Sequence, residues 1–200
     1  MAVVSGGTTL IDNGALDAAV PTGSLILLST QTASSSASIS FTSGIDSTYD
    51  SYVFKFIDIH AGTDNVEFQV NFSTDGGSNY NVTKTTTYVN ANHNEADTSA
   101  SLNYNGGRDL AQSTAYQQIA HGLGTDNDQT VAGTLQIFNP SSNTYVKHFI
   151  SNLNVYHYAD LTQVYYVAGY GNTTSAIDAI SFKMSSGNID DGIIKLYGVS

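Results

Sequence analysis

Val66-Glu67-Phe68-Gln69-Val70-Asn71-Phe72-Ser73 decides how the rest of the chain is read. Val66, Phe68, Val70 and Phe72 fall on one parity; Glu67, Gln69, Asn71 and Ser73 fall on the other. Unbroken alternation of this kind is the mark of a half-buried β-strand, because successive side chains point to opposite faces. Thr74-Asp75-Gly76-Gly77-Ser78-Asn79 follows, and its glycines supply the positive φ angles of a hairpin turn. A return strand is expected from Tyr80 through the threonine-rich Val82–Val89, since β-branched residues suit a pleated surface.

The same reading extends in both directions. Ile39 and Phe41 share a face upstream. Phe54 and Phe56 share one parity, whereas Ile57 and Ile59 take the other, a switch that predicts a bulge or burial on both sides. Downstream, Val131, Leu135 and Ile137 alternate before the turn Asn139-Pro140-Ser141-Ser142. The run from Thr144 to Tyr158 is long enough to bend between sheets. Ile180, Phe182 and Met184 alternate, and Ser185–Gly192 turns the chain into a last strand, Ile193–Val199. The segment Arg108–Gly122 has some helical propensity but places Ala115, Gln117 and Ile119 in strand phase, and strand is expected. Many strands with Gly- and Asn-rich turns predict an all-β fold: an antiparallel β-sandwich in jelly-roll order over residues 23–200. Residues 1–22 read as a short N-terminal docking arm, beaded by Leu10, Ile11, Leu16 and Val20 and closed by Pro21.

Composition narrows the function. The 200 residues suit one domain plus an arm, and a chain of this length sustains a core without metals or disulfides. The absence of cysteine excludes a disulfide scaffold, a cysteine nucleophile and a thiolate zinc site. Six Lys plus Arg face 17 Asp plus Glu, a formal net charge of -11. The cations are scattered and none precedes Lys55, so a nucleic-acid grip or an anionic-lipid anchor is not expected. No apolar run approaches the roughly 20 residues that span a bilayer. The N-terminus has no cationic n-region or apolar h-region, and assembly inside a cell with release by lysis is expected rather than secretion.

Chemistry-bearing residues form no catalytic pattern. His60, His93, His121, His148 and His157 have no Gly-x-Ser-x-Gly elbow to serve. Asp58, Glu67, Glu95, Asp97, Asp126, Asp128, Asp190 and Asp191 sit mostly in turn-like sequence, where Asp bonds its own backbone. Oxygen ligands cluster at 124–128 and 188–192, but neither loop follows the EF-hand pattern, and no metal or other cofactor is expected. Asn71, Asn81 and Asn172 begin Asn-x-Ser/Thr triplets, unremarkable in an Asn- and Thr-rich chain. Tyr156, Tyr158, Tyr165, Tyr166 and Tyr170 cluster late; they read either as inter-sheet core or as a binding surface that could stack on sugar rings.

The stretches Pro21–Ser34, Ser38–Phe56 and Ser185–Val199 resemble small virion proteins of tailed bacteriophages, marine ones in particular. The resemblance lies in spacing and residue type, over most of residues 21–200. It implies a jelly-roll on the particle surface, a head decoration, head fibre or tail-fibre component, and commonly a homotrimer. It brings no catalytic residues. The expectation is therefore a non-enzymatic virion protein, assembled in the host cytoplasm and exposed on the particle. It would dock through residues 1–22 to capsid or tail proteins and could contact host-surface glycans. The alternative is a carbohydrate-binding module of a secreted protein, against which stands a chain that begins at Met1 without a catalytic domain.

Overall fold

The computed structural model describes residues 3–5, 7–12, 15–16 and 24–199. Three short strands open the chain: β1 (Val3–Ser5), β2 (Thr8–Asp12) and β3 (Ala15–Leu16). They pair with one another in a small antiparallel sheet, which the plain composition of the arm did not predict. The side chains of Leu10, Ile11 and Leu16, and the whole of Val20, lie outside the described residues.

Twelve strands build the rest. They are β4 (Leu25–Thr32), β5 (Ile39–Phe41), β6 (Ser51–Ala61), β7 (Val66–Ser73), β8 (Lys84–Asn94) and β9 (Ala100–Tyr104). Then come β10 (Gln117–Leu123), β11 (Val131–Phe138), β12 (Lys147–His157), β13 (Leu161–Gly171), β14 (Ala179–Met184) and β15 (Ile189–Val199). No helix occurs among the described residues. A broad layer runs β4-β15-β6-β11-β12-β13-β8-β9, and a narrow layer runs β10-β7-β14-β5. Every pairing is antiparallel. The layers join where Leu123 at the end of β10 pairs with His157 at the end of β12. The antiparallel sandwich expected from the alternation is what forms, and its connectivity is compatible with a jelly roll.

Aromatic rings fill the space between layers. Phe54 and Phe56 of the broad layer meet Phe182 of the narrow layer at 5.1 and 5.2 Å between ring centroids. Phe68 packs edge-on against Phe56 at 5.2 Å, and Phe72 against Phe149 at 5.1 Å. Val66, Phe68, Val70 and Phe72 are all buried, as their parity requires. Fully burying each such side chain contributes about 1.5–3 kcal/mol.

Several local expectations are corrected. β7 does not form a hairpin with the strand that follows; its neighbours are β10 and β14. Gly76 and Gly77 do take positive φ, at 70° and 86°. Beyond Val82, whose N–H donates to Phe72 O, the chain crosses to the broad layer, and β8 starts at Lys84 rather than Tyr80. Asn71 and Ser73 are buried, not solvent-facing. Backbone from two later segments covers them: the Asn71 amide donates to Tyr80 O at 2.6 Å and Thr114 O at 3.0 Å. Ser73 donates to Asp75 Oδ1 at 2.7 Å. In β10 the inward phase holds for Gln117 and Ile119, while Ala115 lies outside the strand and is exposed. β12 stays paired with β13 along its length and with β11 from Phe149 to Val155, and only its end, at His157, reaches the narrow layer.

The parity switch in β6 is a bulge. Ile57 is exposed, Asp58 takes φ 51°, and Ile59 returns to the core. The β11 register skips accordingly, from Phe56 opposite Gly133 to Ile59 opposite Val131.

Candidate functional site

The residues singled out by sequence gather in three places. The first lies at one end of the sandwich. The β6 bulge and the start of β15 put Asp58, His60, Asn127, Thr130, Asp190 and Asp191 around one open hollow. His60 Nε2 is 3.2 Å from the Asp126 carbonyl, and Nδ1 is 3.8 Å from Asp190 Oδ2. The two oxygen-rich loops, 124–128 and 188–192, thus meet over His60. Gln129, buried beneath, ties the first loop through Asp126. Asp191 Oδ1 accepts from the Gly192 N–H at 2.7 Å. Among the described residues, no group of three or more His, Asp or Glu side chains is placed to hold a metal ion.

The second place is the seam between layers. His121 and His157 face each other with ring centroids 5.9 Å apart. Burial, then the Arg108 guanidinium, pushes His121 down to about 4. Burial and Arg108 also lower His157. Glu67 faces Arg108 across 3.8 Å, a half-buried pair rather than the free outward carboxylate its parity suggested. Tyr165 belongs here: it is core, and its hydroxyl donates to His121 O at 2.6 Å. None of the hydrogen bonds made by the five histidine rings among the described residues involves a serine.

The third place is the outer face of β8, β13 and β12 in the broad layer, where Tyr156, Tyr166 and Tyr170 point. Along β13, Thr162, Val164, Tyr166, Ala168 and Tyr170 face outward, because the alternate residues Gln163, Tyr165 and Val167 are buried. Register sets Tyr170 between Thr85 and His148, Tyr166 between Val89 and Asn152, and Thr162 between His93 and Tyr156. The outward positions of β8, β13 and β12 contain no Asp, Glu, Lys or Arg. Leu102 and Tyr104 extend this face onto β9, where they are opposite Ala91 and Val89.

Two shallow hollows mark the ends of the face. One, of about 440 Å³, is bounded by Thr85, Thr87, Ile150 and the His148–Tyr170 pair, whose rings meet edge-on at 6.2 Å. The other, of about 370 Å³, is lined by His93, Asn94, Glu95, Asn154, Tyr156 and Thr162. There the Asn154 amide donates to Thr162 Oγ1 at 2.8 Å, and His93 bonds Asp97 at 3.0 Å. Desolvation together with the carboxylates of Glu95, Asp128 and Asp160 raises the Tyr156 phenol. Tyr158 stacks on His157 at 4.5 Å at the nearby corner.

Comparison of the chain with protein-family models, with curated proteins and with solved structures finds no match in any of the three. The class is therefore set by the molecule's own geometry: an antiparallel all-β sandwich in which the outer face of β8, β13 and β12 bears tyrosines and no Asp, Glu, Lys or Arg.

Proposed function

We propose that this chain is a non-enzymatic surface component of a tailed-phage particle, docked through residues 1–22 and exposing the sandwich to the medium. The observation that carries the reading is the outer face of β8, β13 and β12. In a chain of net charge -11, these outward positions hold no Asp, Glu, Lys or Arg, and their places are taken by Thr, Asn, Tyr, His and apolar residues. Charge depletion with tyrosine enrichment is what contact surfaces carry. Rigid strands present such residues at low entropic cost. Among the histidines and carboxylates, by contrast, His60 pairs with Asp190, His93 with Asp97 and Glu67 with Arg108.

The exposed leucines of β4 support a homotrimer. Leu25, Leu27 and Leu28 lie on an edge strand without a single charge, and Leu27 is 52% exposed. Natural edges are usually guarded by charge, proline or a covering segment. Burial of this edge by a neighbouring subunit satisfies the same need.

Mass spectrometry and antibody labelling of purified particles test the reading. The chain is expected in intact virions, labelled on the outside. Its absence from particles, with secretion by an uninfected cell, would instead favour a carbohydrate-binding module, the second reading that the tyrosine face supports.

A further inference from the structure

We propose that the outer face of β8, β13 and β12 is a binding site for an extended, neutral oligosaccharide, its sugar rings stacking on Tyr156, Tyr166 and Tyr170. This rests on the surface-contact reading above and names the ligand of that surface.

The spacing comes first. Tyr156 sits in register with Thr162, so the three tyrosines mark positions 162, 166 and 170 along one pair of strands. Four residues of strand advance about 13 Å, so the rings are spread over about 26 Å on one face. A globular ligand cannot use all three; a linear chain of sugar rings can. Tyr166, at the centre, is 51% exposed. Tyr170 and Tyr156 each border one of the two hollows.

The groups between the rings come next. Asn152, Asn154, Thr85, Thr87 and Thr162 carry amides and hydroxyls, each able to donate and accept. Sugar hydroxyls offer the same dual capacity. A dry contact with a second protein would desolvate these groups without matching them, at a cost per group of about 1–3 kcal/mol. This disfavours a second copy of the chain as the occupant.

Charge sets the ligand's sign. These strands hold no Lys or Arg on the face, and the chain as a whole is strongly acidic. A sulfated or uronic-acid polysaccharide would meet repulsion with no Lys or Arg on this face to compensate it. Glu95 borders the hollow at the Tyr156 end and reinforces the exclusion.

The test uses the full chain and calorimetry with neutral gluco-, manno- and N-acetylglucosamine oligosaccharides of increasing length, with alginate and a sulfated galactan as anionic controls. Affinity for one neutral series is expected to rise with length, and the anionic controls are expected not to bind. Tyr166→Ala should weaken binding about tenfold with an unchanged melting temperature, because the ring is exposed. Tyr166→Phe should bind nearly as wild type, because the stacking face remains. No binding by any neutral series, or equal binding by wild type and Y166A, overturns the proposal. Conversion of an oligomer to a monomer by Y166A, seen in light scattering, also overturns it and assigns the face to a second copy. Incorporation of Y166A into particles is scored in parallel, so a failed glycan leaves the virion reading separately decided.

Discussion

The ammonium of Lys84 lies 2.5 Å from Asn71 Oδ1, in a pocket where neither residue has measurable exposure. Its second partner is the Val82 carbonyl at 2.7 Å, and its hydrogen bonds include no carboxylate. Burial alone lowers the Lys84 pKa from 10.5 to about 7. The amine bridges the point where the chain leaves β7 and enters β8 on the other layer.

The sign of the pH effect follows. Between about pH 7 and 10.5 the unfolded chain holds a proton on Lys84 that the folded chain has lost, so stability rises with pH across that window. Below pH 7 both states are protonated and the burial penalty is complete. Urea unfolding at pH 7, 8.5 and 10 should show this rise. Lys84→Met should flatten it and stabilise the protein near neutrality by about 2 kcal/mol, because Asn71 Oδ1 keeps the Phe72 N–H as donor. A steeper rise in the variant would contradict the assignment.

His121 and His157 predict an acid-side effect of the same sign. Both titrate below the ordinary value of 6.5 when folded, His121 at about 4. The unfolded chain therefore binds more protons across pH 6.5 to 4, and stability is lost as pH falls through that window. His121→Gln should reduce this loss. The check is the difference between variant and wild-type melting curves, since carboxylates titrate in both.

Phe68 tests the core. It lies between Phe56 at 5.2 Å and Phe182 at 5.9 Å, at the centre of the interlayer cluster. Phe68→Ala should cost about 3–5 kcal/mol in chemical denaturation. A loss below about 1 kcal/mol would mean that the layers close over the cavity or are not packed as described.

Assembly is tested at two positions. Light scattering of the purified chain should give about three times the 21.2 kDa subunit mass. Leu27→Lys should shift it toward the monomer without unfolding it, because a charge on an edge blocks pairing with a neighbour. Deletion of residues 1–22 should leave the sandwich folded but abolish incorporation into particles. Normal incorporation of the truncated chain would refute the docking role of the arm.

Alternation made much of the sandwich legible: the inward set of β7, the bulge after Phe56 and the inward set of β11 all follow parity. What parity cannot give is the partner. Asp75-Gly76-Gly77 specifies a tight turn, but whether the chain returns beside β7 or crosses to the other layer depends on β10 and β14, strands far away in sequence. Asn71 looked like a surface residue because the backbone that covers it comes from Tyr80 and Thr114. The tyrosine cluster was visible as a cluster. Its division, with Tyr165 in the core and Tyr166 in solvent, was not, because adjacent residues of one strand look alike until the core side is known. The meeting of loops 124–128 and 188–192 over His60 left no local signal at all.

The insertion of β15 between β4 and β6 has a kinetic consequence. Leu25 and Ser51 both pair with Val199, so the edge of the broad layer cannot close until Val199 has left the ribosome. During synthesis the leucines of β4 and one side of β6 wait without their neighbour, exposed to other nascent chains. Long-range closure of this type is slow, with refolding expected in about the millisecond-to-second range. An extension at the C-terminus would burden the step that completes the layer, and a label placed elsewhere would spare it.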